Sequence, residues 1–367
     1  MVNMNKKQRT VLIHPFLLGV FFASLMFSCG NDAIDSTYIE FEVPGNFPQP
    51  TYNFSSNEFT QEKFELGKRL FYEGRLSADN SVSCGFCHNQ EFAFTHHGHD
   101  LSDGIGGLLG TRNTQPIQNL AFMEDFTWDG AIRHLDLQPL IPIESEVEMN
   151  ETIENVLKKL REDASYRNDF ERSFTRKDTE SNIINLRTLT QALSQFMNAL
   201  ISSNSRYDHY IRNEMMEEPY SESEIRGLAV FKEKCASCHS GELFTDQSFR
   251  NNGIGVNSKF PDELGRGRVT DEDNGIHSQD YYKFKVPSLR NIWVSYPYMH
   301  DGRLATINDV LDHYEYGVSD MNTLDPLLKN DGILGIPLTD EDRIVLKSFL
   351  KSLTDDKFIL DERFAEN

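Results

Sequence analysis

Basic residues are scarce in this 367-residue chain. Its 36 Lys and Arg stand against 57 Asp and Glu, for a formal net charge of −21 at pH 7. A nucleic-acid surface needs a clustered basic footprint, so nucleic acid is removed from the partners. An acidic exterior instead steers a basic partner protein. Long apolar runs are lacking too. The one stretch of note, Val11 to Phe27, is short for a membrane span and contains His14 and Pro15. Low-complexity repeats are absent and strand-like alternation is weak throughout, which argues against a regular β architecture. Cysteine is rare, with five in the chain, and tryptophan rarer, with two.

The first of the five cysteines belongs to the leader. Lys6, Lys7 and Arg9 precede the apolar run, and Ser28-Cys29-Gly30 follows it. A basic start, a short apolar core and a small residue before the cut describe a secretory signal over residues 1–28. A cysteine at the cut resembles the bacterial lipoprotein signal, with lipid joined to Cys29, although Met26 and Phe27 are not the small residues usual there. Residues 29–53, with Pro44, Pro48 and Pro50, read as a lipoprotein tether. This places the protein in the periplasm or cell envelope, held to the membrane by its lipid alone.

The other four cysteines form two copies of one motif, Cys84-Gly85-Phe86-Cys87-His88 and Cys235-Ala236-Ser237-Cys238-His239. Cys-x-x-Cys-His is the attachment signal for c-type haem. Each thiol bonds one vinyl group of the porphyrin, and the histidine lies under the iron as its proximal ligand. Two Cys pairs could also hold zinc, but zinc gives no reason for a histidine directly after both. A thioredoxin-like motif normally occurs once, near a βαβ pattern not found here. The arithmetic closes with one thiol for lipid, four for two covalent haems and none for a disulfide.

Helical periodicity dominates elsewhere. Leu186, Leu189, Leu193, Phe196 and Leu200 fall on one helical face, and Phe64, Leu66, Leu70 and Phe71 form a shorter stripe before the first motif. Thr339 caps a helix with Val345, Leu346, Phe349, Leu350 and Leu353 on its apolar face, and Thr306 starts another with Asp309 at its third position. Gly- and Asn-rich loops follow each motif, at 98–112 and 251–273. The expectation is a mainly α protein of two haem domains with long loops, 54–180 and 181–367.

From about Phe54 to Phe358 the chain resembles the bacterial diheme cytochrome c peroxidase family, which includes the MauG-type enzymes. The matching blocks include Leu66-Gly67-Lys68-Arg69-Leu70-Phe71, Arg75-Leu76-Ser77, Arg112-Asn113, Trp128-Asp129-Gly130, Gln138, Pro142 and Glu148-Met149. In the second half they are Gly241-Glu242-Leu243-Phe244-Thr245-Asp246, Val286-Pro287-Ser288-Leu289-Arg290-Asn291 and Pro297-Tyr298-Met299-His300-Asp301-Gly302. The resemblance implies two cytochrome c-like domains with haems near their interface, and reduction of hydrogen peroxide by electrons from a small cytochrome c or cupredoxin. It also makes a homodimer plausible.

The same resemblance implies site roles. The haem on His88 becomes the peroxide-reducing centre, with Glu148 as distal acid–base and Gln138 and Pro142 lining that pocket. Trp128 stands between the haems as an electron path, where an aromatic is by default core. Asn113, with the backbone carbonyls of Ser295 and Pro297, matches the ligands of a calcium ion. Tyr314 occupies the place where diheme peroxidases usually carry a ligating methionine and MauG-type enzymes carry tyrosine. The bland alternative keeps Tyr314 a core aromatic, with Met299, Met321, His300 and His313 as other iron ligands for the second haem. No histidine falls where many family members hold a displaceable ligand before Arg112, which leaves the first haem open, although His97 and His99 lie in that loop. Three functions follow: a peroxidase, a MauG-like oxidase acting on a protein or organic substrate, and a non-catalytic electron-transfer cytochrome.

Overall fold

Each haem motif is preceded by a helix, and each of those helices is crossed by another from later in its half. This computed structural model describes residues 41–175, 182–270 and 279–366. The expected signal and Cys29 lie outside the described residues. In chain order the helices are α1 (Gln61–Phe71), α2 (Cys84–Cys87), α3 (Leu140–Glu144), α4 (Ile153–Glu162), α5 (Ala164–Ser173), α6 (Leu186–Ala199) and α7 (Arg206–Ile211). They continue with α8 (Glu222–Lys234), α9 (Gly267–Thr270), α10 (Ile307–Asp312), α11 (Asp340–Lys351) and α12 (Asp356–Ile359). Two short antiparallel pairs complete the order: β1 (Phe249–Arg250) with β2 (Phe284–Lys285), and β3 (Lys329–Asn330) with β4 (Ile333–Leu334). The chain is mainly helical with long connections, as expected.

The four helices that frame the motifs form by local rules. Thr60 caps α1 by accepting from the Lys63 amide, and reciprocal capping boxes start α6 (Asn185, Thr188), α8 (Ser221, Glu224) and α11 (Thr339, Asp342). Their apolar stripes then pair them, α1 on α6 and α8 on α11. Both crossings are close. A Cβ on Gly67 of α1 would collide with the Ala192 carbonyl of α6, and one on Gly227 of α8 with the Val345 carbonyl of α11. The sequence thus builds the same helix crossing beside each motif.

Two apolar cores result. The first takes Phe64, Leu66, Leu70 and Phe71 from α1, and Leu189, Leu193, Phe196 and Leu200 from α6 and its end. The second takes Leu228 and Phe231 from α8 with Leu346, Phe349, Leu350 and Leu353. Each such side chain contributes about 1.5–3 kcal/mol on burial. The halves expected from the sequence placed α6 after residue 180, with the second motif. In the structure it fills the first core, because its stripe meets α1, and Leu186 at its start stays exposed. The second half of the expected tether also differs. Phe47 and Tyr52 are buried in the first core, and the Thr51 and Tyr52 amides donate to the Ala121 carbonyl. The C-terminus returns to that core through Phe358 and Phe364, where the Tyr72 hydroxyl donates to the Phe364 carbonyl at 2.7 Å.

The chain passes from one core to the other at 201–206, and a buried ion pair fixes that passage. Arg290 and Asp208 both have fully buried side chains. Nη1 and Nη2 of Arg290 each donate to one Asp208 oxygen at 2.8 Å, and Nε donates to the Glu242 carbonyl at 2.8 Å. Burial alone would raise the Asp208 carboxyl, but Arg290 and Ser205 hold it at about 2. Removing one member of such a pair leaves a buried charge uncompensated. Asp208→Ala is therefore expected to cost about 3–5 kcal/mol in urea unfolding of the haem-loaded protein, and a loss below about 1 kcal/mol would show that the pair does not hold the passage. With its folded value depressed, the Asp208 contribution is present above the ordinary 3.8 and is lost as pH falls towards about 2.

Candidate haem sites

The first motif is a single helical turn. In α2, Cys84 and Cys87 stand three residues apart on one face, and the His88 amide closes the turn on the Cys84 carbonyl at 2.9 Å. The second motif ends α8, with the His239 amide donating to the Cys235 carbonyl at 3.0 Å. Spacing and turn together present two thiols and an imidazole to one side in both places. Burial raises each of the four thiols above its ordinary value.

Both motif histidines are held in the same way. His88 Nδ1 donates to the Phe94 carbonyl at 2.9 Å, and His239 Nδ1 to the Phe244 carbonyl at 3.1 Å. That bond fixes the ring and leaves Nε2 as the acceptor. Burial lowers the His88 imidazole to about 4, against the opposing Phe94 bond, and burial lowers His239 as well. A ligand imidazole must be neutral, so these environments fit a haem iron.

A cavity opens beside the second motif. Cys235, Cys238 and His239 line it together with Trp128, Met299 and Tyr314. Ile307, Val310, Leu311 and Tyr314, expected on one helical face, all reach this cavity. The capping box of Thr306 and Asp309 starts α10 as expected, but the helix passes into a π-helical turn at His313–Gly317, and Tyr314 sits in it. Such turns are frequent at functional sites. Burial pushes the Tyr314 phenol up to about 12; a hydrogen bond from Asn252 opposes this, and Cys238 and Cys235 add to it. Of the other expected ligands, Met299 and His300 also line the cavity. His313 Nε2 instead pairs with the Asn252 carbonyl at 3.1 Å, and Met321 Sδ accepts from Asn251.

Trp128 is buried and belongs to neither apolar core. Its Nε1 donates to the Asn113 carbonyl at 2.9 Å, and its own carbonyl accepts from the Lys285 amide at 2.8 Å. Arg112 braces the same region by pairing with Asp129 at 2.8 Å and with Glu263 at 2.7 Å. Asn113, Ser295 and Pro297 line the cavity together. The Asn113 Nδ2 donates to the carbonyls of His99 and Asp100, which leaves Oδ1 as the oxygen open to a cation.

Glu148 and Gln138 lie on one folded turn around α3. The Ile141 amide donates to the Gln138 carbonyl, Ser145 to Ile141, and Glu148 to Ser145. The 98–112 loop lies on this turn through the Ile105 amide, which donates to the Glu148 carbonyl at 2.7 Å. Burial raises the Glu148 carboxyl above its ordinary 4.5, against hydrogen bonds from Ser145 and Ser102. Glu148 in turn contributes to the raised Cys87 thiol, so the two are within electrostatic reach. Oε1 of Gln138 is buried with no hydrogen-bond partner, as a group aimed at a bound molecule would be. The two loop histidines named from the sequence are engaged elsewhere: His97 stacks on Phe92 and pairs with the Tyr296 hydroxyl, and His99 pairs with Asp103.

Sequence reasoning missed Lys285. It is almost fully buried at the second cavity, and among the described residues its ammonium has no ion pair or hydrogen bond. Burial lowers it to about 8, with Asp125 opposing. An unpaired buried ammonium facing a haem cavity fits a propionate carboxylate. Its place directly before Val286-Pro287-Ser288 was the only signal.

The profile of the di-haem cytochrome c peroxidase family matches residues 61–216. Methylamine utilization protein MauG of Methylorubrum extorquens is 34% identical over 315 residues, covering 85% of this chain and 83% of its own. Cytochrome c551 peroxidase of Nitrosomonas europaea is 29% identical over 314 residues, 84% of each chain. A solved MauG-like protein associated with microbial copper homeostasis superposes with a TM-score of 0.77 at 32% identity, over 89% of this chain and 99% of that one. Matched to a MauG over most of both chains, this protein belongs to the di-haem cytochrome c peroxidase family, an oxidoreductase family whose members carry two haems.

Proposed function

We propose that this protein is a peroxidase of the cell envelope that reduces hydrogen peroxide to water with electrons from a small cytochrome c or cupredoxin. Peroxide, two electrons and two protons give two waters. Cys84 and Cys87 would hold one haem covalently and Cys235 and Cys238 the other, in two haem domains, with His88 and His239 as proximal ligands. When bound, the haem irons supply the redox chemistry of O–O cleavage and the positive charge that makes a phenolate of Tyr314.

The observation that carries this reading is Glu148. A buried carboxyl of raised pKa beside the first attachment turn can take a proton from one peroxide oxygen and return it to the other. The unpartnered Gln138 oxygen supports a ligand pocket on the same turn. Trp128 would carry electrons between the two sites. Asn113 Oδ1, with the Ser295 and Pro297 carbonyls, would hold a calcium ion. Among the described residues no helix is long and apolar enough to cross a membrane, and lipid on Cys29 would supply the anchor. A homodimer is part of the same proposal.

A second reading, oxidation of a protein or organic substrate in the MauG manner, is favoured by Tyr314 at the second cavity and by the MauG relative. Mixing ferric protein with peroxide and then reduced cytochrome c separates the readings. Rapid donor oxidation supports the peroxidase, and a long-lived oxidised state without donor turnover supports the second. Two unreactive haems would support electron transfer alone.

Glu148→Gln is expected to lower peroxide turnover by about 10²–10⁴-fold with the haem spectrum retained. In the unsubstituted protein, activity should fall as pH drops through a value above the 4.5 of an ordinary glutamate, because the ionised form acts as base. That limb should vanish in the variant, and an unchanged profile would assign the proton transfer elsewhere. Tyr314→Phe should alter the ferric absorption and electron paramagnetic resonance of the second haem alone. A methionine–sulfur charge-transfer band in the unsubstituted protein would instead favour Met299.

A further inference from the structure

We propose that His96, His99 and Asp103 form a binding site for a divalent transition metal of the zinc type, beside the first haem attachment turn and separate from both proximal histidines. One ligand atom from each residue lies within 4.8 Å of the others. The imidazoles of His96 and His99 are parallel, 4.3 Å apart with 6° between their planes. His99 Nδ1 lies 2.7 Å from an Asp103 carboxylate oxygen.

An ordinary histidine–carboxylate pair accounts for His99 and Asp103 but leaves His96 unexplained. The His96 Nδ1 is shut off from water and has no hydrogen-bond partner. Desolvating a ring nitrogen without compensation is costly, and a cation taken by the His96 Nδ1 lone pair, with His99 and Asp103 supplying its other ligand atoms, removes that cost. Neighbouring His97 shows the contrast, since it stacks on Phe92 and pairs with the Tyr296 hydroxyl.

The backbone that carries these three side chains is braced on several sides. Asn113 Nδ2 donates to the His99 carbonyl at 3.3 Å and to the Asp100 carbonyl at 3.1 Å. The Ser102 amide donates to the Arg112 carbonyl at 3.1 Å, and the Asp103 carbonyl lies 3.3 Å from Cys87 Sγ of the first motif. The His96 ring also meets Phe86, inside the first motif, at 5.8 Å. Two imidazoles and one carboxylate suit zinc, with water in the remaining tetrahedral position. Calcium and magnesium prefer an all-oxygen shell, which one carboxylate does not provide. An ion here would lock the 96–103 loop against the first haem turn and the Asn113 backbone bonds.

The test uses full-length, haem-loaded protein without an affinity tag. Chelator is dialysed away, Zn²⁺ is added in the presence of excess calcium, and bound metal is counted after gel filtration. The expected result is one zinc ion per chain, with an imidazole and oxygen shell in zinc-edge X-ray absorption. His96→Ala and the isosteric Asp103→Asn should each weaken binding at least as much as the roughly 10–100-fold lost with an outer-shell partner, with haem spectra unchanged. Asp103→Asn keeps the shape of the loop and so separates loss of a ligand from loss of the fold. No retained zinc, or equal retention by both variants, overturns the site. A changed ferric haem spectrum in His96→Ala also overturns it, by making His96 an iron ligand.

Discussion

Arg290 is a fully buried cation, and the arrangement of the second half depends on how its charge is met. Asp208 neutralises it through two parallel hydrogen bonds, and Asp208 also closes the capping box of α7 with Ser205. The same guanidinium donates to the Glu242 carbonyl and lies over the ring of Phe244. Phe244 supplies the carbonyl that orients His239. The Arg290 guanidinium also lies over the ring of Phe47 from the leading segment, and the Arg290 backbone carbonyl accepts from Gln118. Asn291 beside it reaches Ser202, where the chain leaves the first core. One unbroken set of contacts thus ties the passage between cores to the posture of the His239 ring. A buried guanidinium is costly unless every donor is met in fixed geometry, and that requirement holds these segments in one arrangement.

The two motifs are chemically equal and differ in what surrounds them. The folding rules beside them are the same: a capped helix, a glycine-permitted crossing, and a turn that presents two thiols and one imidazole to one side. Around the first motif the chain places the Glu148 carboxyl, raised by burial, and the unpartnered Gln138 side-chain oxygen. Around the second it gathers a phenol, a thioether, an indole and a buried ammonium at one cavity.

Much of this was legible from local sequence. The caps at Thr306 and Thr339 and the stripes of α1 and α11 formed as read, because a cap and a 3.6-residue period are settled within a few residues of chain. The stripe of α6 was legible and its destination was not. Which helix it meets depends on a contact with α1 more than a hundred residues earlier in the chain, where Gly67 lies against Ala192. The continuation of α10 into a π turn at Tyr314 was likewise hidden, since the spacing from Ile307 suits either turn. Lys285 and His96 were invisible as site residues because a lysine or histidine acquires meaning only from what surrounds it. Tertiary packing takes water from both and leaves one unpartnered nitrogen on each.

The paired Cys-x-x-Cys-His motifs by themselves determined that two haems are called for, since three atoms of fixed chemistry on one turn need no distant partner. The helical class was also determined by the sequence, through capping and periodicity. Only the tertiary structure decided that α6 joins the first core and that Trp128 lies outside both cores. Those facts depend on loops from distant parts of the chain being brought against one another, and burial and electrostatics act on that final distance, whatever the separation in sequence.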